Sequence, residues 1–421
     1  MAFAKKPERK AGGYLKRLDE HNKDRRARLK DAFDGDYVGD CGDPTLQWTV
    51  GGYIRGRLNL VWGPTKSGKS TLILKWAASE QVRRGPNAYV LIYDSEYNYD
   101  EDDPRTRARL IQCGLDPDFV IIAHGNDMNA LFYGIADLKA DVHAESVKEG
   151  TGLKVAAIVV DSWGGIGVES AMDKISKGEI ADAGNSFGGN AKFINPMIQY
   201  FLGLAGDYGV TCFFVQHCIM NMEQYGKRYI LIGGQKLRYL VHCSIFLETI
   251  EAQDARLGMG HQAIAKGDVE DAVAIGKRIR TYCDKSRQVV EGRKGEFWFD
   301  FENVQFAKPY ESLFDLASRL GVIDHPVEPE TDKKGNVLKD EEGKPKTKVK
   351  NAYWCYPANS LDPRSVQWHG KPGVLAALQS NTALFKEIFA ECMNTTKKNA
   401  TTDQTDYKAM LASDEEEAPT E

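Results

Sequence analysis

The residues best equipped for chemistry form one run, Gly63-Pro64-Thr65-Lys66-Ser67-Gly68-Lys69-Ser70, followed by Thr71. It fits G-x-x-x-x-G-K-[ST] without a mismatch. Glycines in such a loop let the backbone turn tightly, so that successive N–H groups converge on one anion. A helix expected from about residue 71 adds the positive end of its dipole. Lys69 supplies a point charge for β- and γ-phosphate oxygens. Ser70 offers a hydroxyl to Mg²⁺, a hard cation that prefers oxygen. This is the chemistry of a site for ATP.

Three further segments end in groups that phosphoryl transfer to water requires. Ala157-Ile-Val-Val-Asp161-Ser162 is an apolar run delivering an acid, which puts Asp161 in position to hold Mg²⁺. Val90-Leu-Ile-Tyr-Asp94-Ser95-Glu96 is a second such run. Hydrolysis needs a carboxylate to orient or deprotonate the attacking water. Glu96 is the candidate for that role, and Asp94 is its rival, with capping of the strand end as the alternative use. Phe213-Phe-Val-Gln216-His217 places an amide at a strand end, where Gln216 could read a γ-phosphate and pass its presence to the chain beyond. The competing reading of Gln216 is an amide satisfied by nearby backbone.

The elements that must position these groups alternate in type. From Thr45 to about Phe306 strand-like and helix-like segments take turns, which predicts an α/β core with a mostly parallel twisted sheet flanked by helices. Strands are expected at Leu58–Trp62, Ala88–Tyr93, Val155–Asp161, Val210–Gln216, Ser244–Thr249, Arg278–Asp284 and Glu296–Phe301. Several are near-continuous apolar runs, as strands buried on both faces should be. Thr71–Arg83 and Ala191–Tyr208 read as amphipathic helices, the second bending at Pro196. Beyond Phe306, Tyr310–Leu320 reads as a helix ended by Gly321, residues 326–350 as an exposed loop or hairpin, and Val374–Met393 as one more helix. The chain therefore divides into a basic helical segment (1–40), the core (41–306), a smaller C-terminal α+β region (307–393) and a tail (394–421) of disorder-prone composition.

Composition bounds the function. The chain has 421 residues, 42% of them hydrophobic, enough to bury a large core. No run approaches the roughly 18 consecutive apolar residues of a membrane span. The first residues, Met1-Ala-Phe-Ala-Lys5-Lys6, lack the apolar stretch of a secretory signal. The eight cysteines are scattered without C-x-x-C spacing, as expected of reduced thiols in the cytoplasm and not of a zinc site. A net charge of −5 argues against a passive coat on DNA. The charge is uneven, however: residues 5–30 are strongly basic, and the far end reads Ser413-Asp-Glu-Glu-Glu417. Both ends are candidate interaction segments.

Taken in order, these segments resemble the RecA recombinase family, and within it the UvsX-type recombinases of large tailed phages. The likeness covers roughly residues 40–325. It begins at Leu46-Gln-Trp-Thr-Val-Gly-Gly-Tyr-Ile-Arg-Gly-Arg-Leu58 and runs through Tyr93-Asp-Ser-Glu96, Arg107-Ala-Arg-Leu-Ile-Gln-Cys-Gly-Leu-Asp116, Val160-Asp-Ser162, Gln216-His217 and Gly233-Gly-Gln-Lys-Leu-Arg-Tyr239. It closes with Asp284-Lys-Ser-Arg287, Gly295-Glu-Phe-Trp-Phe-Asp300 and Pro309-Tyr-Glu-Ser-Leu-Phe-Asp-Leu-Ala-Ser-Arg-Leu-Gly321.

The resemblance implies an ATP- and Mg²⁺-dependent enzyme that forms helical filaments on single-stranded DNA and exchanges strands with a homologous duplex. A single-strand-binding protein and a loading mediator are implied as further partners. The family's two DNA-binding loops match residues 164–190, with Met172, Lys174 and Lys177, and residues 217–236, with Met220, Met222, Tyr225, Lys227, Arg228, Tyr229, Gly233 and Gly234. Cations, stacking rings and wedging apolar groups also suit DNA on chemical grounds. The family completes its ATP site across a subunit interface, and Lys285 and Arg287 match the cations that reach across, with Tyr239 at an interface aromatic position. The alternative is a DNA-dependent motor of the same fold, such as a hexameric helicase. Three stretches depart from the family pattern: an acidic, lengthened 97–104, an inserted 252–277 and a loosely matching 326–400.

Overall fold

The computed structural model describes residues 20–26, 29, 36–125, 131, 134–139, 141–142, 154–165, 190–220, 229–231, 235–252, 255–264, 273–332, 334, 336–340, 342–358, 362 and 364–395. Among them a mostly parallel sheet runs through the centre. A two-residue ladder, β1 (Val38–Gly39) with β2 (Tyr53–Ile54), precedes it. The sheet strands follow in chain order: β3 (Leu58–Gly63), β4 (Ala88–Asp94), β5 (Val120–His124), β6 (Lys154–Asp161), β7 (Thr211–Met220), β8 (Tyr229–Leu231), β9 (Cys243–Thr249), β10 (Arg256–Leu257), β11 (Gly276–Ser286), β12 (Lys294–Asp300) and β13 (Gln305–Ala307). Their spatial order is β13-β12-β11-β9-β3-β7-β6-β4-β5, with β8 beside β7 and β10 beside β11. From β9 to β5 every pairing is parallel, and β11, β12 and β13 add an antiparallel edge. This is an α/β architecture built on a mostly parallel sheet.

Burial explains why these runs became strands. Every residue of β3 and all but the first of β6 are buried. Successive side chains point to opposite faces, so Val159 and Phe213 join one apolar cluster while Ile158, Val160 and Phe214 join the other. Helix α1 (Pro44–Val50) and helix α2 (Lys69–Arg84) cover the first face, α2 through Leu72, Ile73, Trp76 and Ala77, with α3 (Pro104–Cys113) beside it. Helix α4 (Asn190–Tyr208) covers the second through Met197, Ile198, Phe201, Leu204 and Ala205. Truncating a ring such as Phe213, which is fully buried, costs about 3–5 kcal/mol.

One buried carboxylate ties several elements together. Glu80 of α2 accepts from Tyr53 Oη at 3.0 Å, Arg55 Nε at 3.0 Å, Arg83 Nη2 at 2.7 Å and Thr211 Oγ1 at 2.9 Å. A buried charge is tolerable only when paired and fully hydrogen-bonded, and this one is. It fixes α2 against the residues flanking β3 and the start of β7.

A third apolar cluster lies in the C-terminal region. Helices α6 (Pro309–Leu320), α7 (Gly370–Ser380) and α8 (Thr382–Asn394) gather around Leu313, Leu316, Val374 and Ile388, with Trp48 of α1 among them. Two hairpins, β14 (Val327–Pro329) with β15 (Thr347–Val349) and β16 (Tyr353–Tyr356) with β17 (Val366–His369), lie between α6 and α7 in sequence. The joint to the core is polar and buried: Ser312 Oγ donates to Asp43 Oδ1 at 2.8 Å, and Asp43 caps α1 through the Thr45 and Leu46 N–H groups.

All seven expected strands are present, with ends shifted by a few residues. The helix expected over Val374–Met393 is two helices. Asn381 breaks it with extended φ/ψ and caps the second through Leu384 N–H, the usual behaviour of Asn at a helix start. Helix α4 continues through Pro196. The 326–350 stretch is the β14–β15 hairpin, lengthened by bridges Thr331↔Val337 and Lys339↔Pro345. The 252–277 stretch supplies β10 as an added partner for β11. Residues 20–26 are helical, and Arg25 Nε donates to Gly206 O near the end of α4 at 2.8 Å. Residues 1–19, 27–28 and 30–35 of the basic segment and residues 396–421 of the tail lie outside the described residues. No helix among the described residues is long and apolar enough to cross a membrane.

Candidate nucleotide site

The C-terminal ends of β3, β7, β6 and β4 are neighbours, and the sheet register brings their polar ends level. Gly63 is opposite His217, Trp62 opposite Gln216, and Asp94 opposite Asp161. Open α/β sheets bind ligands at this edge.

The 63–70 loop leaves β3 and enters α2. Gly68 has φ +86°, and a side chain at Gly63 would put its Cβ 2.0 Å from Leu247 O. Both positions therefore need glycine. The loop and the start of α2 line a cavity of about 490 Å³ together with Glu96, His217, Lys277 and Phe301. Ser67 Oγ is buried there without a hydrogen-bond partner. Lys69 Nζ lies across the loop and donates to Pro64 O at 2.6 Å. Burial lowers its pKa against the opposing pull of Asp161 and Glu96. An ammonium folded over a concave run of N–H groups is what a polyphosphate would displace and bind.

Asp161 is nearly fully buried at the end of β6. Burial pushes its pKa up to about 6; the Ser70 hydroxyl bond opposes this, while Glu96 and Asp94 raise it further. Tyr99 Oη adds a contact at 3.3 Å. A hydroxyl bonded to a carboxylate among other acids is a donor set that fits a hard divalent cation. Ser70 and Asp161 are the residues that would hold it.

Glu96 reaches the cavity and Asp94 does not. Glu96 Oε1 accepts from Ser162 Oγ at 2.5 Å and lies 2.8 Å from His217 Nε2. Burial raises the Glu96 pKa, but the bonds from Ser162 and His217 outweigh it and the net shift is downward. Asp94 is fully buried beneath, where it accepts from Glu96 N–H at 3.1 Å and Tyr99 N–H at 2.8 Å and so builds the turn. Ser95 laces β4 to β6 through Ser162, donating to its carbonyl at 2.7 Å. Gln216 is buried with its amide against Gly164, where an added Cβ would come within 2.9 Å of Nε2.

Sequence reasoning missed three cavity residues. His217 stood one place beyond the amide singled out, and its strand-end position was the available signal. Phe301 and Lys277 come from the antiparallel edge, and no local pattern joins them to residues 63–71. Arg109 makes that connection visible in space, donating to Thr71 Oγ1 at 2.9 Å and Phe301 O at 3.1 Å.

The remaining candidates lie elsewhere. Lys285, Arg287 and Tyr239 do not line the cavity of their own chain. Lys285 ends β11 next to helix α5 (Gln235–Leu240), and Tyr239 of that helix is 65% exposed. Met220 is exposed at the end of β7. Its ladder partner Tyr229 instead packs on Phe246, ring centroids 5.4 Å apart, with its hydroxyl 3.0 Å from Glu248. Among the described residues of this hairpin the exposed large apolar groups are Ile219, Met220 and Ile230. Met172, Lys174, Lys177, Met222, Tyr225, Lys227, Arg228, Gly233 and Gly234 lie outside the described residues.

A family model described as an AAA domain matches residues 23–218, a span that contains the 63–70 loop, Glu96, Asp161 and Gln216. Among curated proteins the likeness is to RecA. Protein RecA of Bifidobacterium breve is 25% identical over 276 residues, 65% of this chain and 59% of that protein. Protein RecA of Synechococcus sp. (strain CC9902) is 24% identical over 277 residues, 65% of this chain and 61% of that protein. Protein RecA of Gloeobacter violaceus is 24% identical over 352 residues, 82% of this chain and 75% of that protein. The chain thus spans about three fifths of the length of the first two. These likenesses support a RecA-like ATPase.

Proposed function

We propose that this protein is an ATP-dependent recombinase of the UvsX type, which assembles as a filament on single-stranded DNA and exchanges strands with a homologous duplex. The observation that carries the reading is the convergence of Lys69, Ser70 and Glu96 on one cavity at adjacent strand ends, with the buried Asp161 bonded to Ser70 behind it, in a chain similar to RecA proteins over most of its core.

In this reading the N–H groups of the loop and the start of α2 bind the phosphates, and Lys69 leaves the Pro64 carbonyl for β- and γ-oxygens. Mg²⁺ held by Ser70 and Asp161 would draw off charge from the phosphoryl oxygens. Glu96, held as a carboxylate by Ser162 and His217, orients the attacking water and takes its proton. Gln216, buried with its amide against Gly164, senses the γ-phosphate. Lys285 and Arg287 of a neighbouring copy supply the further cations, with the exposed Tyr239 in the interface, so that assembly completes the site. Met220 and the flanking loops meet DNA.

ATP turnover with and without single-stranded DNA, electron microscopy of the product and a strand-exchange assay test the reading together. DNA-stimulated turnover, long filaments and ATP-dependent exchange are expected. Closed rings that unwind duplex without exchange would overturn it in favour of a helicase.

A further inference from the structure

Lys285 is engaged within its own chain. Its ammonium donates to Tyr239 O at 2.6 Å and to Arg238 O at 3.1 Å. Both carbonyls belong to the last turn of α5, where a helix has acceptors without intrahelical partners and a partial negative charge. A second contact holds the same turn. Arg238 grips Asp284 with two parallel bonds, Nε to Oδ2 at 2.6 Å and Nη2 to Oδ1 at 2.6 Å. Paired bonds of this kind are strong and geometrically specific. The Asp284 side chain is 1% exposed and also accepts from Ser244 Oγ at 3.1 Å.

Two consecutive strand residues normally point to opposite faces. Here the pairing of β11 with β9 slips: Cys283 faces Ile245 and Lys285 faces Ser244. Asp284 is the extra residue of a bulge, a feature that re-aims side chains. The bulge lets Asp284 and Lys285 reach the same helix, one binding its side chain and the other its backbone.

We propose that Arg238 and Asp284 are positioning residues that park Lys285 on the end of α5, and that DNA binding releases Lys285 by shifting this helix. The inference rests on the reading of Lys285 as the cation given to a neighbour's nucleotide. The first residues of helix α5, Gln235 and Lys236, close the 217–236 stretch that the resemblance matches to a DNA-binding loop, so in that reading a shift of the helix on binding DNA would move Tyr239 O and Arg238 O with it. A lysine bound to two carbonyls cannot serve the neighbour's γ-phosphate as well. The latch thus keeps turnover low on a filament or oligomer that carries no DNA.

Asp284→Asn in the full chain tests this, because it keeps the shape and the Ser244 contact while weakening the grip on Arg238. DNA-independent ATP turnover should rise about tenfold, the shift that loss of one charge-assisted hydrogen bond gives. Turnover at saturating DNA should stay near that of the unmodified protein. A purely structural lesion would lower both rates. Arg238→Lys, which leaves a cation beside the buried carboxylate but removes the paired bonds, should raise DNA-independent turnover in the same way and covers the case in which Asp284→Asn fails to fold. An unchanged or reduced DNA-independent rate in the folded variants overturns the latch. Lys285→Ala separates the two ideas: if it keeps full DNA-stimulated turnover, the shared-site reading fails; if it is inactive while Asp284→Asn behaves as the unmodified protein, only the latch fails.

Discussion

His217 Nε2 lies 2.8 Å from Glu96 Oε1, so the strand that leads toward the exposed β7–β8 hairpin touches the acid proposed to handle water. Two donors share that one oxygen, Ser162 Oγ being the other. Glu96→Gln should leave nucleotide binding within about twofold and lower turnover at least a hundredfold, since it removes a base worth about 10²–10⁴ and no phosphate ligand. His217→Ala should act through Glu96. Removing a donor to the carboxylate raises its pKa, so the acid limb of the pH–rate profile should move to higher pH. A profile that falls in height without moving would show that His217 does not tune Glu96.

Lys69→Ala should separate binding from folding. Lys69 Nζ contacts only Pro64 O among the hydrogen bonds identified for that ammonium, so its removal should shift the melting midpoint little. Affinity for ATP should fall at least tenfold, because the polyphosphate loses its nearest cation. A fluorescent ATP analogue titrated against both proteins, alongside thermal melts, measures the two effects. Unchanged affinity would remove Lys69 from the site.

Glu80→Ala should be among the most damaging substitutions outside the cavity. It leaves Arg55 and Arg83 without their shared carboxylate and deprives Tyr53 and Thr211 of an acceptor. Breaking a buried ion pair by removing one partner costs about 3–5 kcal/mol. The denaturant midpoint at constant slope reads this directly. A loss below about 1 kcal/mol would mean that water replaces the carboxylate.

What the sequence disclosed depended on whether the signal was local. The 63–70 loop was legible because its conformation is dictated by its own glycines and by the strand and helix on either side. Asp161 and Glu96 were legible because apolar runs of six residues, Ala88–Tyr93 and Val155–Val160, that lead into acids are strands delivering a polar group to one sheet edge. Strand β5 was not, since Val120–His124 is short and only partly buried. The division at Asn381 was hidden because apolar periodicity continues on both sides of it. Phe301 joins the cavity through the fold of an antiparallel edge some 230 residues from the loop. The same holds for the contact of Lys285 with α5, which depends on a bulge that no residue pattern announces.

The structure also predicts how the protein meets acid. Asp300 ends β12 fully buried, accepting from Glu302 N–H at 2.9 Å, Asn303 N–H at 3.0 Å, Asn303 Nδ2 at 2.8 Å and pairing with His261 Nε2 at 2.8 Å. Burial pushes its pKa up, but the Asn303 bonds, with those from His261 and Gln305, bring it down to about 2 from an ordinary 3.8. A carboxyl whose folded pKa is depressed binds protons more readily when unfolded, so stability rises with pH across the gap between the two values. The contribution of Asp300 is therefore complete above pH 3.8 and disappears as the pH falls through about 2. Asp300→Asn should be less stable than the unmodified protein at pH 7, and the difference should shrink between pH 4 and pH 2. Urea midpoints of both proteins at matched pH values measure this. A constant difference across that interval would show that the Asp300 charge contributes nothing and that its role is geometric alone.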